Sequence, residues 1–70
     1  MSDERLHRAA DIARMVQDRT GHRVRPVDVG RLARRGRVPI AARGKGRVLL
    51  FTERAVESVI CARQRERDGD

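Results

Sequence analysis

Basic side chains are concentrated in the middle of this 70-residue chain. Between residues 21 and 50 there are nine bases and one acid, Asp28, whereas the two flanks together carry eight bases and nine acids. A guanidinium group donates paired hydrogen bonds to phosphate or to the edge of guanine. Charge gathered in one stretch in this way predicts a polyanionic partner, most simply a polyphosphate. The bases are Arg23, Arg25, Arg31, Arg34, Arg35, Arg37, Arg43, Lys45 and Arg47.

The remaining reactive side chains offer little chemistry. Cys61 is the only cysteine, and together with His7 and His22 it does not form a ligand set at zinc-finger spacing. We expect Cys61 to be a small packing residue and both histidines to lie at the surface. No nucleophile stands at a recognisable spacing from a base, and no paired carboxylates share an apolar face. The sequence therefore predicts no metal, no cofactor and no enzymatic activity.

Helical periodicity accounts for the first part of the chain. Apolar residues from Leu6 to Val16 recur at helical spacing, with charged residues filling the other face. This pattern predicts a first helix over residues 5 to 19. Asp3 is placed to cap its start, and Gly21 is placed to end it in a left-handed turn.

A second helix and a hairpin are predicted to carry the basic stretch. Pro26 suits the first turn of a helix and Gly36 suits its end, so we place this helix at about residues 26 to 35. Val29, Leu32 and Ala33 form its apolar stripe. Two short aliphatic runs then flank GKG at 44 to 46, which predicts a two-stranded hairpin with a basic tip over about residues 38 to 51.

A third helix is predicted to complete a single domain. Thr52 is placed to cap this helix, which extends to about residue 63 and follows Phe51, the only aromatic residue and an expected core residue. The polar residues 64 to 70 are expected to form a frayed tail, so the domain spans residues 1 to 63. The predicted fold class is mainly α with a small β-hairpin. The inner stripe of the third helix is Ala55, Val56, Val59 and Ile60.

Three segments carry a likeness to a known family: VRPVDVGRLARRGRVP at 24 to 39, RGKGR at 43 to 47 and FTE at 51 to 53. Together with the order of elements, they make the chain resemble the MerR-like and excisionase-like winged-helix DNA-binding domains over residues 6 to 63. The chain departs from that family at Arg25, where members usually have Ser or Thr. The resemblance implies a winged helix-turn-helix, made of a helix-turn-helix, a two-stranded wing and a C-terminal helix.

The resemblance also implies how the domain would meet DNA. The second helix would lie in the major groove, with Arg31 reading guanine and Asp28 either accepting from a cytosine amine or orienting Arg31. Other arginines would hold phosphates, and the wing would lie over an adjacent minor groove. The implied recognition-helix residues are Arg25, Val27, Asp28, Arg31, Arg34 and Arg35, and the implied wing and approach residues are Arg37, Arg43, Lys45 and Arg47.

The sequence thus predicts a small transcription regulator that binds double-stranded DNA. One alternative is an excisionase that binds and bends DNA beside an integrase, and another is a protein- or RNA-interaction module on the same fold. Further copies of the chain on adjacent sites, and an integrase, are the partners expected besides DNA. Because the sequence shows no apolar span and no signal peptide, we expect a cytoplasmic, nucleoid-associated protein that does not contact membranes.

Overall fold

The computed structural model describes residues 5 to 67, with side chains described through residue 65. The elements are β1 (His7–Arg8), α1 (Ala9–Thr20), α2 (Pro26–Arg34), β2 (Ala42–Arg43), β3 (Leu49–Phe51) and α3 (Arg54–Arg67). The three strands form one antiparallel sheet in the order β1-β3-β2. The described residues therefore make a small α+β domain with three helices.

Helix α1 begins four residues later than the periodicity predicts. The predicted start at residue 5 is wrong because residues 7 and 8 pair in the sheet as β1. Arg8 is extended, and its backbone N–H donates to Oδ2 of Asp11 at 3.2 Å, a bond that fixes the first turn. The predicted cap Asp3 lies outside the described residues.

The predicted end of α1 is confirmed, since Gly21 has φ +75° and its N–H donates to the carbonyl of Gln17 at 2.7 Å.

Helix α2 starts and stops close to where the sequence predicts. Pro26 occupies the first turn, where its missing N–H costs nothing. At the other end Gly36 has φ +76° and donates to the carbonyl of Ala33 at 3.0 Å, while the N–H of Arg37 donates to the carbonyl of Leu32 at 3.0 Å. These two bonds satisfy the last carbonyls of the helix in a Schellman motif, which requires the left-handed conformation that glycine adopts without strain.

The predicted hairpin is present, and the sheet has a third strand that was not predicted. Ala42 pairs with Leu50 and Arg43 with Leu49, so β2 and β3 are shorter than the aliphatic runs that contain them. Strand β1 pairs with the other side of β3, opposite Leu50 and Phe51. Strand β3 is therefore central, and the hairpin is joined through it to the start of α1.

Helix α3 runs four residues beyond its predicted end. Residues 64 to 67, expected as part of a frayed tail, are helical, and residues 68 to 70 lie outside the described residues. Ala55, Val56 and Val59 are buried as predicted and Ile60 is partly buried. Ala62 is also buried.

Of the two histidines and the one cysteine, only His22 lies where the sequence analysis expects it. Cys61 is exposed, so its predicted packing role is wrong: it lies on α3 opposite the buried stripe. His7 is half-buried rather than at the surface, because it lies in β1 beside β3, and its Nε2 is shielded from solvent without a hydrogen-bond partner in the described residues. His22 is exposed as expected.

One aliphatic core with a single aromatic ring holds these elements together. Helix α1 packs against α2, α3 and β3, and Phe51 is completely buried as predicted. Valine and alanine supply most of the core, so it is thin for a domain of this size. Its members are Ile12, Ala13, Val16, Val24, Val29, Leu32, Ala33, Val38, Phe51, Ala55, Val56, Val59 and Ala62.

Candidate nucleic-acid interface

All nine bases between residues 21 and 50 are exposed, and the one acid among them is not paired with any of them. The single salt bridge among the described side chains joins Nη1 of Arg19 to Oε1 of Glu57 at 3.7 Å, between α1 and α3. Within the described part of the chain, the acids of the flanks therefore leave the middle bases unneutralised. Their charge acts on the solvent and on whatever approaches from it.

The solvent face of α2 carries three of the predicted recognition residues. Val29, Leu32 and Ala33 are buried against the rest of the domain. At 3.6 residues per turn, Val27, Arg31 and Arg34 then fall within an arc of roughly 60° on the opposite side of the helix. All three are exposed, and Val27 keeps 54% of its surface accessible.

Arg34 also belongs to a cleft between α2 and the hairpin. This basic cleft has a volume of about 510 Å³ and is lined by Ala33 and Arg34 of α2 and by residues 40, 43, 44 and 47 to 49. Arg34, Arg43 and Arg47 are the three basic residues of its lining, and the larger apolar residues are Ile40, Val48 and Leu49. The fold thus joins one predicted recognition residue to two predicted wing residues in a single concave surface.

The loop between β2 and β3 holds Arg47 in an uncommon backbone conformation. Gly44 donates to the carbonyl of Val48 at 2.8 Å and closes the loop, and both Gly46 (φ +67°) and Arg47 (φ +66°) are left-handed. Arg47 is the one non-glycine residue with positive φ in residues 5 to 67. That conformation costs an L-residue about 1 kcal/mol, and such strain is typically retained at functional sites.

Asp28 has a structural role that limits its part in base reading. Its Oδ2 accepts a hydrogen bond from the backbone N–H of Arg25 at 3.2 Å, and the N–H of Asp28 donates to the carbonyl of Arg25 at 3.0 Å. These bonds fix the first turn of α2 where Arg25 offers no side-chain cap. The carboxylate also lies at the positive end of the helix dipole, which favours it there.

Arg37 is separated from the other predicted wing residues. It lines a second cleft of about 820 Å³, here called the α3 cleft, together with residues of α3 that include one acid: Arg54, Glu57, Ser58, Cys61, Ala62 and Arg65. Sequence analysis missed Arg54 and Arg65, although their spacing of eleven residues, three helical turns, places them on one side of a helix. Arg25, Arg35 and Lys45 are exposed but line neither cleft.

The described residues show neither a cluster of metal ligands nor a membrane-spanning helix. No three His, Cys, Asp or Glu side chains come together there as a metal site would require. None of the helices in that part of the chain combines the length and the apolar character needed to cross a membrane. The charged surfaces around α2, the hairpin and α3 are the features that a ligand would meet.

Comparison with protein families, with curated proteins and with solved structures finds no match to this chain. What the chain binds must therefore follow from the shape and charge of its own surface. On that surface, the solvent face of α2 and the basic cleft form one continuous region, because Arg34 belongs to both.

Proposed function

We propose that this protein is a winged helix-turn-helix domain that binds double-stranded DNA as a small transcription regulator. Helices α1 and α2 and the connector between them are the helix-turn-helix, α2 is the recognition helix and the hairpin is the wing. An α-helix with its side chains is about 10 to 12 Å across, so α2 fits the major groove, which is about 12 Å wide. The solvent face of α2 meets base edges while the wing holds the neighbouring backbone.

The observation that carries this proposal is the basic cleft. Arg34 of α2 and Arg43 and Arg47 of the hairpin that follows it line one cleft, and none of them has an acidic partner among the described side chains. Three cations held around a concave, partly apolar surface repel one another unless an anion lies between them. A sugar-phosphate backbone supplies both the charges and the apolar sugar faces that such a surface would contact.

The exposed surface favours a duplex over single-stranded RNA. Single strands are recognised mainly by stacking their bases on aromatic side chains. The chain has one aromatic residue, Phe51, and it is completely buried. The exposed groups of this surface suit phosphates and base edges instead.

Fluorescence anisotropy with labelled nucleic acids tests the proposal. The probes are a duplex of about 20 base pairs, two helical turns, and a single-stranded RNA of the same length, each at about 50 and 200 mM salt. We expect tighter binding to the duplex at both salt concentrations and a steep loss of affinity as salt rises. Preferential binding to the RNA, or no binding to either probe, would contradict the proposal.

A matched pair of variants ties the binding to the proposed surface. Arg34→Gln should weaken duplex binding several-fold because it removes one cation of the basic cleft. Arg14→Gln removes the same charge from the solvent face of α1, where Asp11 and Asp18 are one turn away, and should leave binding unchanged. Equal losses for both variants would mean that net charge, and not the basic cleft, drives the association.

A further inference from the structure

Gly30 has no structural reason to be glycine. It lies in the middle of α2 without a positive φ, and a methyl group built on it would meet no atom within 4 Å. Glycine inside a helix destabilises the helix relative to alanine, since it loses more conformational freedom on folding. The fold therefore leaves an open notch on α2 where alanine would be both tolerated and stabilising.

Val27 is likewise unexplained by the core. It has the highest exposure, 54%, among the exposed large hydrophobic residues of the described chain. It lies three residues before Gly30 and four before Arg31, so each of these two residues is a neighbour of Val27 on the surface of α2. Val27 and Arg31 lie on the solvent face of α2, and Gly30, which is half-buried, lies at the edge of that face.

We propose that Val27, Gly30 and Arg31 form a base-reading surface, in which the α2 backbone approaches the floor of the major groove at Gly30. Val27 contacts the methyl group of a thymine, and Arg31 donates paired hydrogen bonds to a guanine. This inference rests on the proposed function, since it specifies which bases that function reads. Asp28 is not part of the surface, because its carboxylate is bonded to the amide of Arg25.

The spacing of the two contacts follows from the helix. Four residues separate Val27 from Arg31, or about 6 Å along α2, and successive base pairs are about 3.4 Å apart. The preferred sites therefore contain a thymine and a guanine within about two base pairs of each other. Arg34 lies one turn further along, at the basic cleft, where it holds the backbone.

The first test selects duplexes from a randomised library with the wild-type protein. We expect the selected duplexes to share a thymine and a guanine at the stated separation. Replacing that thymine with uracil, which lacks the methyl group, should weaken wild-type binding several-fold. The Val27→Ala variant, whose shorter side chain makes a smaller contact with the methyl group, should discriminate less between the thymine and uracil duplexes than wild type does. Selected duplexes without a shared base preference would overturn the inference while leaving duplex binding intact.

The second test separates affinity from stability at Gly30. Gly30→Ala should raise the melting temperature of the free protein by about 4 to 8 °C, the shift expected for one helical Gly-to-Ala change in a domain of this size. It should also weaken binding to the selected duplex about tenfold, because the added methyl group holds the helix away from the bases. Gln17→Ala, on the exposed surface of α1, is the control and should leave affinity unchanged.

The outcomes distinguish the two proposals. A Gly30→Ala protein that melts higher and binds the selected duplex as tightly as wild type would overturn close approach at Gly30. Failure of the wild-type protein to bind any duplex would overturn the proposed function, and the inference with it. A lower melting temperature for Gly30→Ala would show that the residue is needed by the fold, which also contradicts the inference.

Discussion

Removing the three guanidinium groups of the basic cleft should change how steeply DNA affinity depends on salt. The perturbation is Arg34→Gln, Arg43→Gln and Arg47→Gln together. Glutamine keeps much of the side-chain length and polarity, and all three positions are exposed, so the fold should persist. Each phosphate contact contributes about −0.9 to the slope of log affinity against log salt, so losing three should make the slope about 2.7 units shallower.

The magnitude is large enough to measure over an ordinary range of salt. If Arg25, Arg35 and Lys45 also contact phosphate, six contacts give the wild type a slope of about −5, and raising salt from about 50 to 200 mM lowers its affinity on the order of 10³-fold. The cleft variant should lose only about 40-fold over the same range. Fluorescence anisotropy with one labelled duplex at five or so salt concentrations measures both slopes.

A triple variant of the α3 cleft is the matched control. Arg37→Gln, Arg54→Gln and Arg65→Gln remove the same three charges from exposed positions on another surface. The slope of log affinity against log salt for this variant should differ from the wild-type slope by less than about 0.9, the contribution of one phosphate contact. If both triple variants flatten the slope equally, the domain is attracted by its net charge alone, and the assignment of phosphate contacts to the basic cleft is refuted.

Three further substitutions test the fold and the roles of individual side chains. Phe51→Ala should cost about 3 to 5 kcal/mol and abolish the cooperative urea transition of so small a domain, and a transition close to that of wild type would contradict this. Asp28→Ala should cost about 1 kcal/mol by thermal melting, because the Arg25 amide loses its acceptor, without altering base preference; an altered preference would assign Asp28 to base reading. Cys61→Ser should change stability by less than about 0.5 kcal/mol because the side chain is exposed, and a larger loss would indicate a packing contact.

Local chemistry made parts of the fold predictable from sequence. The ends of α1 and α2 were predicted from Gly21 and Gly36, because a left-handed residue after a helix is a backbone requirement that glycine meets most easily. The start of α2 was predicted from Pro26, and the hairpin from the glycines between two aliphatic runs. Each of these signals acts within a few residues, so tertiary structure did not override it.

The two missed boundaries have different causes, one long-range and one local. Strand β1 has two residues inside a stretch with helical periodicity, and its pairing with β3 depends on a segment more than forty residues away. The end of α3 was placed where its apolar stripe stops. The helix continues because Gln64, Arg65, Glu66 and Arg67 are all good helix formers, and helix propensity does not require a buried face.

Some features of the candidate interface were predictable from the local sequence, and others depend on tertiary packing. The exposure of Val27 and Arg31 followed from the burial of Val29 and Leu32, which the sequence showed. The meeting of Arg34 with Arg43 and Arg47 depends on how the hairpin folds back toward α2, and Arg37 points elsewhere because the Schellman motif turns the chain at Gly36. Sequence analysis could group these bases by charge but not by surface.

Three acids of the described chain are bonded within the fold and not to the middle bases. Asp11 and Asp28 accept hydrogen bonds from backbone amides at the starts of α1 and α2, and Glu57 pairs with Arg19 across two helices. These carboxylates are thus used within the fold, at helix starts where the dipole favours negative charge. Residues 38 to 51 contain no acid, so the hairpin does not itself neutralise the basic cleft. An external polyanion could supply the compensating charge, so the proposed affinity for DNA depends on where the sequence places its acids as much as on where it places its arginines.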